Sequence, residues 1–361
     1  MTPSLAPSLS SASQASALQR FAEREAGAAM SKPEPMTGGG SARRYYRMRS
    51  LAPAPWGDTV VGVIAPNPAE ARAFVGLTRH LAATGIPVPR LFASDKQGCM
   101  YLVEDLGDLR LSDRLREWRS EGDAGLAKAQ SALHTTVRWL ARLQVRGGKG
   151  MDWTLCFEGT ELSGEAFRAD LRLFLEHYVP RFVDRPGPDA TILADLERLI
   201  ERLDGLPRQH LCHRDFQARN IMWPHGGPVF LDYQGCRRGP LAYDLASLLY
   251  SPDSGLTEAE REPVMIAYLQ ALEEEGVRQE PDTFRRDFYA VVLVRRLQAL
   301  GAYARIAAVE SKPDYLAKIP SALATLRELI QADRISLGLP ALEHWLLGGL
   351  ATDAYPRSLM R

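Results

Sequence analysis

The chain has 361 residues, of which 45% are hydrophobic and 24% charged, a balance typical of folded globular proteins rather than disordered ones. Its 44 basic and 44 acidic side chains cancel to a net charge of +0, which excludes nucleic-acid or membrane-surface binding through bulk positive charge. We therefore expect neither a nucleic acid nor a membrane as partner, and the length predicts two packed units of about 100–200 residues each.

Signals for export or membrane insertion are not found in the sequence. No run reaches the about 18 apolar residues of a membrane span, and the first residues lack the basic and apolar regions of a secretion signal. The four cysteines are scattered without Cys-x-x-Cys spacing, so we expect reduced thiols rather than disulfides or a zinc site. These features predict a cytoplasmic protein and leave its oligomeric state open.

The first part of the chain predicts a small α+β unit. Residues 1–27 are predicted as a flexible Ser/Ala-rich tail and a short helix, followed by a Pro- and Gly-rich linker at 31–40. Runs of β-branched and aromatic residues predict strands, and apolar residues three and four apart predict a helix. The predicted strands are 42–49, 59–65, 90–93 and 100–105, and the predicted helix is 68–84. We place this unit at 28–106.

Helical periodicity dominates the second unit, at residues 107–361. The predicted helices are 127–145, 164–179, 189–203, 257–275, 282–308 and 319–332. The segment 210–232 differs, because short apolar pieces alternate there with polar clusters, Pro and Gly. We expect the catalytic and metal-binding residues in this segment.

Three oxygen-bearing side chains are spaced in this segment as phosphoryl transfer requires. Asp215 and Asn220 lie five residues apart on a tight loop, and Asp232 follows an apolar strand seventeen positions after Asp215. Asp215 would accept the hydrogen of an acceptor hydroxyl, while Asn220 and Asp232 offer the oxygen ligands that Mg²⁺ prefers. His213 is predicted to support the loop by hydrogen bonding to backbone. The implied substrate and metal are ATP and Mg²⁺.

This motif set resembles the kinase-like phosphotransferases that include aminoglycoside and choline kinases. The resemblance implies a two-lobed, protein-kinase-like α+β fold, with a small antiparallel-sheet N-lobe and a large helical C-lobe. It also implies that Asp215 is the catalytic base, that Asn220 and Asp232 bind Mg²⁺, and that Asp244 is structural. The segment 101–106 resembles the hinge between lobes, where the backbone of Glu104 and Leu106 would meet adenine.

Spacing separates a small-molecule kinase from a protein kinase. About nine residues join Asp232 to the helix near Leu241, too few for an activation loop with a regulatory phosphosite. The 110 positions from Asp105 to Asp215 are mostly helical in prediction and could wall a compact acceptor pocket. A small molecule is therefore the expected acceptor, although no motif identifies the residues that contact it.

Kinases of this fold normally have a lysine on a strand of the N-lobe, and this lysine contacts the phosphates of ATP. It is missing here: residues 60–65 contain no basic side chain. Phe74 lies where the partner glutamate is expected, and Glu70 is a weak substitute one turn earlier. Two interpretations remain open. The protein is a nucleotide-binding pseudokinase, or the preceding strand supplies the charge through arginines. The candidates are Arg43, Arg44 and Arg47.

A closer resemblance favours the interpretation in which arginines replace the missing lysine. Several segments together resemble the anomeric N-acetylmuramate/N-acetylglucosamine kinases of bacterial cell-wall (peptidoglycan) recycling, which also lack the lysine. These segments are 41–47, 104–107, 213–220 and 231–235. Tyr46 and Tyr233 replace phenylalanines of that family. The likeness implies an enzyme that phosphorylates the C1 hydroxyl of an amino sugar; an aminoglycoside phosphotransferase and a choline- or homoserine-type kinase stay as alternatives.

Overall fold

The computed structural model describes residues 11–36, 42–96, 99–183, 186–331 and 337–349, so the predicted tail before residue 11 and the glycines at 38–40 lie outside the described residues. The strands are β1 (Glu34–Pro35), β2 (Arg44–Arg49), β3 (Thr59–Ile64), β4 (Leu91–Ser94), β5 (Met100–Glu104), β6 (His210–Cys212), β7 (Ile221–Met222), β8 (Val229–Phe230) and β9 (Arg237–Gly239). The helices are α1 (Ser11–Ala26), α2 (Pro68–Ala83), α3 (Leu111–Arg119), α4 (Asp123–Val145), α5 (Gly164–Leu173), α6 (Val179–Phe182), α7 (Ala190–Asp204), α8 (Ala242–Leu249), α9 (Glu258–Glu274), α10 (Pro281–Val309), α11 (Ile319–Gln331) and α12 (Pro340–Gly349).

The first five strands form one antiparallel sheet in the order β1-β2-β3-β5-β4. The register pairs Arg47 with Val61 and Val61 with Val103, so the centre of the sheet is made of β-branched residues. Helices make up most of the chain after this sheet. The predicted α+β architecture, with a small antiparallel sheet beside a large helical part, is confirmed.

Helix α1 covers the outer face of the sheet. Leu18 and Phe21 of α1 are buried against Tyr46 and Met48, which point to this face of β2. At Gly62 a Cβ would lie 2.8 Å from side-chain carbons of both Leu18 and Met48. The absence of a side chain at Gly62 therefore lets α1 pack closely on the strands.

An aromatic stack connects the inner face of the sheet to the helical lobe. Phe74 of α2 stacks on Tyr101 of β5 at 4.6 Å between ring centroids, and on Tyr233 at 5.2 Å. The Thr78 and Tyr233 hydroxyls lie 2.6 Å apart. Phe74, at the position where an acidic residue was expected, thus serves as an apolar contact between the lobes.

Helix α10 is the central helix of the second lobe and is buried around most of its circumference, as expected of a helix inside a core. It contacts α5 and α8, and Gly301 meets the backbone of Leu173 and Phe174. The predicted helix 164–179 is interrupted there by a π-helical segment, Phe174–Tyr178. Among the described helices, none combines the length and apolar composition that a membrane span requires.

We predict that Gly301→Ala destabilises the protein. The new Cβ would lie 2.4 Å from backbone atoms of Leu173 and Phe174, which cannot rotate away, so α10 must shift at a cost of about 1–3 kcal/mol. Thermal denaturation measures the loss. Gly187→Ala is the matched control, because a Cβ there meets none of the described residues within 4 Å. Equal melting temperatures for the two variants would contradict the proposed close packing.

Candidate active site

The backbone of Leu231 joins the two segments that carry the candidate catalytic side chains. Its N–H donates to the carbonyl of Asn220 at 2.9 Å, and its carbonyl accepts a hydrogen bond from His213 Nε2 at 2.9 Å. The pairing of β7 with β8 extends this contact, with Ile221 opposite Phe230. Asp232 is the next residue after Leu231, so this one peptide unit brings it beside the loop that carries Asn220.

The Asp215 carboxylate is held by donors from its own loop. The side-chain amide of Gln217 donates to Oδ1, and Arg219 lies 3.4 Å from Oδ2. Asn220 Nδ2 donates to both Oδ2 and the backbone carbonyl of Asp215, each at 2.9 Å. The side chain is 35% exposed. Asp215 is therefore oriented by hydrogen bonds while its carboxylate stays accessible to an acceptor molecule.

Asp232 ends the second segment in a left-handed conformation, with φ 64° and ψ 32°. Its Oδ1 accepts hydrogen bonds from the guanidinium of Arg43 and, at 2.9 Å, from Gln234. Burial of the carboxylate would raise its pKa, but the positive charge of Arg43 and the hydrogen bonds outweigh burial and lower the pKa below its usual value. Asp232 therefore remains an anion.

The donor chemistry of Asn220 and Asp232 fits a hard divalent cation. Both donor hydrogens of Asn220 Nδ2 point to Asp215, so the amide oxygen lies on the opposite side of the same planar group. Asp232 Oδ2 belongs to an anion whose described hydrogen bonds go to Oδ1. No group of three or more His, Cys, Asp or Glu side chains among the described residues could hold a metal. A site with few protein ligands suits Mg²⁺, which takes its remaining ligands from phosphates and water.

Arg43 lies between carboxylates from both lobes. Its Nε is 3.3 Å from Glu70 Oε1 in the first turn of α2, and its other end contacts Asp232 and, at 3.2 Å, Gln234 Oε1. Asn67 caps α2 and accepts hydrogen bonds from the backbone N–H groups of Ala69 and Glu70, which fixes this turn. The side chains Arg43 and Glu70 thus form an ion pair comparable to the strand lysine and helix glutamate of kinases.

The other two candidate arginines lie elsewhere. Arg47 binds both oxygens of Asp105, at 2.7 and 2.9 Å, and also contacts Asp108. Arg44 alternates with these residues and belongs to the face of β2 that α1 covers. Of the three, the structure brings Arg43 to Asp232, joins Arg47 to the hinge and leaves Arg44 on the outer face.

Glu104 and Leu106 flank the residue that Arg47 holds. Glu104 ends β5, and its N–H and carboxylate both bond to the backbone of Arg90. After Leu106, Gly107 adopts φ +73°, and its N–H donates to Asp105 Oδ1 at 3.1 Å. The backbone between the lobes therefore has a defined turn, held by Asp105.

Asp244, on α8, supports the loop that carries Asp215. Its fully buried carboxylate accepts hydrogen bonds from the backbone N–H groups of His213 at 2.8 Å and Arg214 at 2.9 Å, and from Gln144 at 3.2 Å. Arg214 has φ +77°, a strained conformation for a residue with a side chain. Asp244 stabilises this turn, and the turn sets the direction of Asp215.

Several site residues carry no sequence signal of their own. Gln234 and Arg219 contact the two key carboxylates, yet each is an ordinary residue near a motif. Arg295 comes from α10, far along the chain, and its charge acts on Asp215. A search of the sequence for charged residues on the buried face of a helix could have found Arg295, since buried arginines are uncommon.

The fold and this site define a phosphotransferase, with a sheet lobe over a cleft and a loop that presents a carboxylate beside a candidate metal-binding pair. The family model described as "phosphotransferase enzyme family" (APH) matches residues 32–286, well over half of the chain. The chain belongs to this family. The predicted family and the predicted phosphotransferase activity are confirmed.

Two curated relatives carry the same name. The N-acetylmuramate/N-acetylglucosamine kinase of Pseudomonas putida is 29% identical, with 80% of this chain and 81% of the relative covered. The protein of that name from Pseudomonas aeruginosa is 26% identical, with 85% and 88% covered.

Two solved structures of small-molecule kinases have the same fold. An ethanolamine kinase from Plasmodium vivax superimposes with a TM-score of 0.58 at 14% identity, covering 84% of each chain. An amicoumacin kinase, in complex with AMP-PNP, Ca²⁺ and Ami, gives a TM-score of 0.55 at 13% identity, covering 80% of this chain and 86% of that one. At these identities the likeness establishes the fold.

We predict that Asp244→Asn lowers both stability and turnover. An amide has one acceptor oxygen, so one of the two backbone N–H groups would be buried without a partner, at a cost of about 1–3 kcal/mol. Thermal denaturation and kcat together measure the effect. Asp189→Asn is the control, because asparagine caps α7 about as well as aspartate. Unchanged stability of Asp244→Asn would contradict the supporting role.

Proposed function

We propose that the chain is an ATP-dependent kinase of a small hydroxylated molecule, with the C1 hydroxyl of N-acetylmuramate or N-acetylglucosamine as phosphate acceptor. The observation that carries this proposal is the meeting of Asp215, Asn220 and Asp232 around the Leu231 peptide. The choice of an amino sugar rests on the resemblance of the motifs and on the two relatives named for that activity.

Asp215 acts on the acceptor. Its oriented carboxylate accepts the hydrogen of the attacking hydroxyl, which increases the charge on that oxygen as it approaches the γ-phosphate. Gln217 and Asn220 hold the carboxylate in place through hydrogen bonds that do not neutralise its charge. Their contribution is therefore positional.

Arg43 and the hinge act on the nucleotide. Glu70 and Asp232 hold the Arg43 guanidinium beside the metal-binding pair, where its forked donors and permanent charge suit phosphate oxygens. Arg47 contributes through Asp105, which fixes the backbone of Glu104 and Leu106 for hydrogen bonds with the adenine edge. Of the three arginines, we assign phosphate contact to Arg43.

Asp232 and Asn220 are the residues that would hold Mg²⁺. When bound, the metal neutralises charge on the phosphate oxygens. The lowered pKa of Asp232 keeps its oxygen ligands unprotonated across the neutral range. Arg43 pairs the charge of this partly buried carboxylate in the absence of metal.

The charges near Asp215 bear on the alternative acceptors. Arg219 contacts Asp215 directly, and Arg214 and Arg295 lie close by in the same lobe. A polycationic aminoglycoside or a quaternary amine would be repelled by these guanidinium groups, whereas an uncharged or anionic sugar would not. The complete set of Asp215, Asn220 and Asp232 also argues against a pseudokinase.

We predict that ADP is released in the presence of Mg²⁺ when the protein is screened with amino sugars, and not with aminoglycosides or amino alcohols. Asp215→Ala should lower turnover by about 10²–10⁴-fold, the usual contribution of a general base, with nucleotide affinity nearly unchanged. A coupled ADP assay and calorimetric titration with ATP analogues measure the two quantities. A parallel reaction with EDTA tests the metal.

Turnover of an aminoglycoside in place of the sugars would overturn the choice of acceptor. Loss of nucleotide affinity in Asp215→Ala, in step with the loss of rate, would overturn the role given to Asp215.

We predict that Arg43→Lys lowers kcat/KM for ATP by about 10–100-fold, because one ammonium group cannot bridge Glu70, Asp232 and a phosphate as a guanidinium does. Steady-state kinetics with varied ATP measures the effect. Arg44→Lys is the matched control on the adjacent residue, which lies on the α1 face. Equal values for both variants would contradict the assignment of phosphate contact to Arg43.

A further inference from the structure

Two consecutive arginines are buried on α10, on the lobe that carries the catalytic loop. Arg295 is 8% exposed and Arg296 is 4% exposed. Arginine is almost never fully buried unless its charge is paired, because removing a guanidinium from water is costly. Nearby groups must therefore stabilise these two buried charges.

Arg295 makes its hydrogen bonds with neutral groups. Its Nη1 donates to the hydroxyl of Tyr243 at 2.8 Å and to Gln298 at 3.5 Å, and the guanidinium lies 4.8 Å from the ring centroid of Tyr243. The carboxylates whose charges act on Arg295 are Asp215 and Asp170, and neither is hydrogen-bonded to it. Within the described residues its Nε has no hydrogen-bond partner.

Arg296 is less compensated still. Its Nε has no hydrogen-bond partner, and no carboxylate among the described residues forms an ion pair with it. Burial, together with the charges of Arg295 and Arg261, lowers its pKa to about 10, opposed in part by Tyr303. The surroundings of Arg296 therefore favour an added negative charge.

Three neighbouring arginines differ in that each has an acidic partner, whereas Arg214, which also lies over the Tyr243 ring, forms no ion pair among the described residues. The pairs are Arg219 with Asp253 at 2.7 Å, Arg237 with Glu158 at 2.5 Å, and Arg261 with Glu258 at 2.8 Å. Since those carboxylates are already engaged, Arg295 and Arg296 form a doublet of positive charge in the described part of the lobe.

Electrostatic interactions connect the doublet with the loop of Asp215, directly for Arg295 and through Tyr303 for Arg296. Tyr303 lies seven residues after Arg296, two helical turns along the same face of α10, and its electrostatic neighbours include Arg296 and Arg219. Arg219 in turn is 3.4 Å from Asp215. The charge of Arg295 also acts on Asp215 directly. An acceptor held with its hydroxyl at Asp215 would thus place another part of itself near this doublet.

We propose that Arg295 and Arg296 bind a carboxylate of the acceptor and so determine specificity for an acidic amino sugar over its neutral counterpart. This inference rests on the proposed function. N-acetylmuramate carries a lactyl carboxylate that N-acetylglucosamine lacks, so the two sugars differ in the group that the doublet would bind. A guanidinium pair matches a carboxylate through charge and through several N–H donors.

The test compares Arg295→Gln and Arg296→Met with the wild type, using both sugars. Each variant should raise KM for N-acetylmuramate by about 10–100-fold, the loss expected for a hydrogen-bonded charge pair, and change KM for N-acetylglucosamine by less than about 3-fold. KM for ATP should stay unchanged. Arg286→Met, an exposed arginine on the same helix, is the control for which no constant should change.

Thermal denaturation separates binding from a structural role. Replacing an uncompensated buried charge by methionine of similar volume should leave the melting temperature of Arg296→Met equal to or above that of the wild type. A lower melting temperature with equal changes in KM for both sugars would overturn the proposal. A rise in KM for ATP alone would also overturn it, because the doublet would then bind nucleotide phosphate.

A binding measurement keeps this inference distinct from the proposed function. N-acetylmuramate should raise the melting temperature of the wild type more than N-acetylglucosamine does, and this difference should vanish in both variants. If neither sugar is phosphorylated but the difference is present, the proposed activity fails and the carboxylate site stands. If both sugars are phosphorylated with equal KM in wild type and variants, the activity stands and the carboxylate site fails.

Discussion

The contact of one guanidinium with two carboxylates organises the cleft. Arg43 enters from the sheet lobe and binds Glu70 of α2 on one side and Asp232 of the helical lobe on the other. Because each partner comes from a different element, this arrangement requires the lobes to be correctly placed before it can form. It also leaves a cation beside the carboxylate that would bind metal. The rest of the candidate site is arranged around this point.

Backbone contacts fix the loop that carries Asp215 and Asn220. Asp244 holds the strained turn at Arg214, and the Leu231 peptide joins His213 to Asn220. Side chains that would contact substrate are thus oriented by groups that do not. Such separation of support from chemistry is expected where functional groups must be held to within a fraction of an ångström.

Much of this arrangement could be predicted from sequence, because local patterns encode it. Strand alternation placed Arg43 and Arg44 on opposite faces, and the spacing of Asp215 and Asn220 identified the loop. Glu70 was harder to identify, since its partnership with Arg43 depends on where α2 lies relative to β2. The Arg295 and Arg296 doublet was not identified from the sequence, because the burial of a charged pair depends on packing between distant helices. The π-helical interruption after Leu173 likewise was not predicted; it lies at a tertiary contact, where Gly301 approaches the backbone.

The stack of Tyr101, Phe74 and Tyr233 is a second kind of contact between the sheet lobe and the helical lobe. Ion pairs weaken as salt screens them, whereas ring stacking is nearly indifferent to ionic strength. A phenylalanine in place of an acid therefore makes the attachment of α2 to the helical lobe partly independent of the cellular electrolyte. The Arg43 side chain is only 4% exposed, so salt also screens its ion pairs little, and both kinds of contact keep the two halves in their relative orientation.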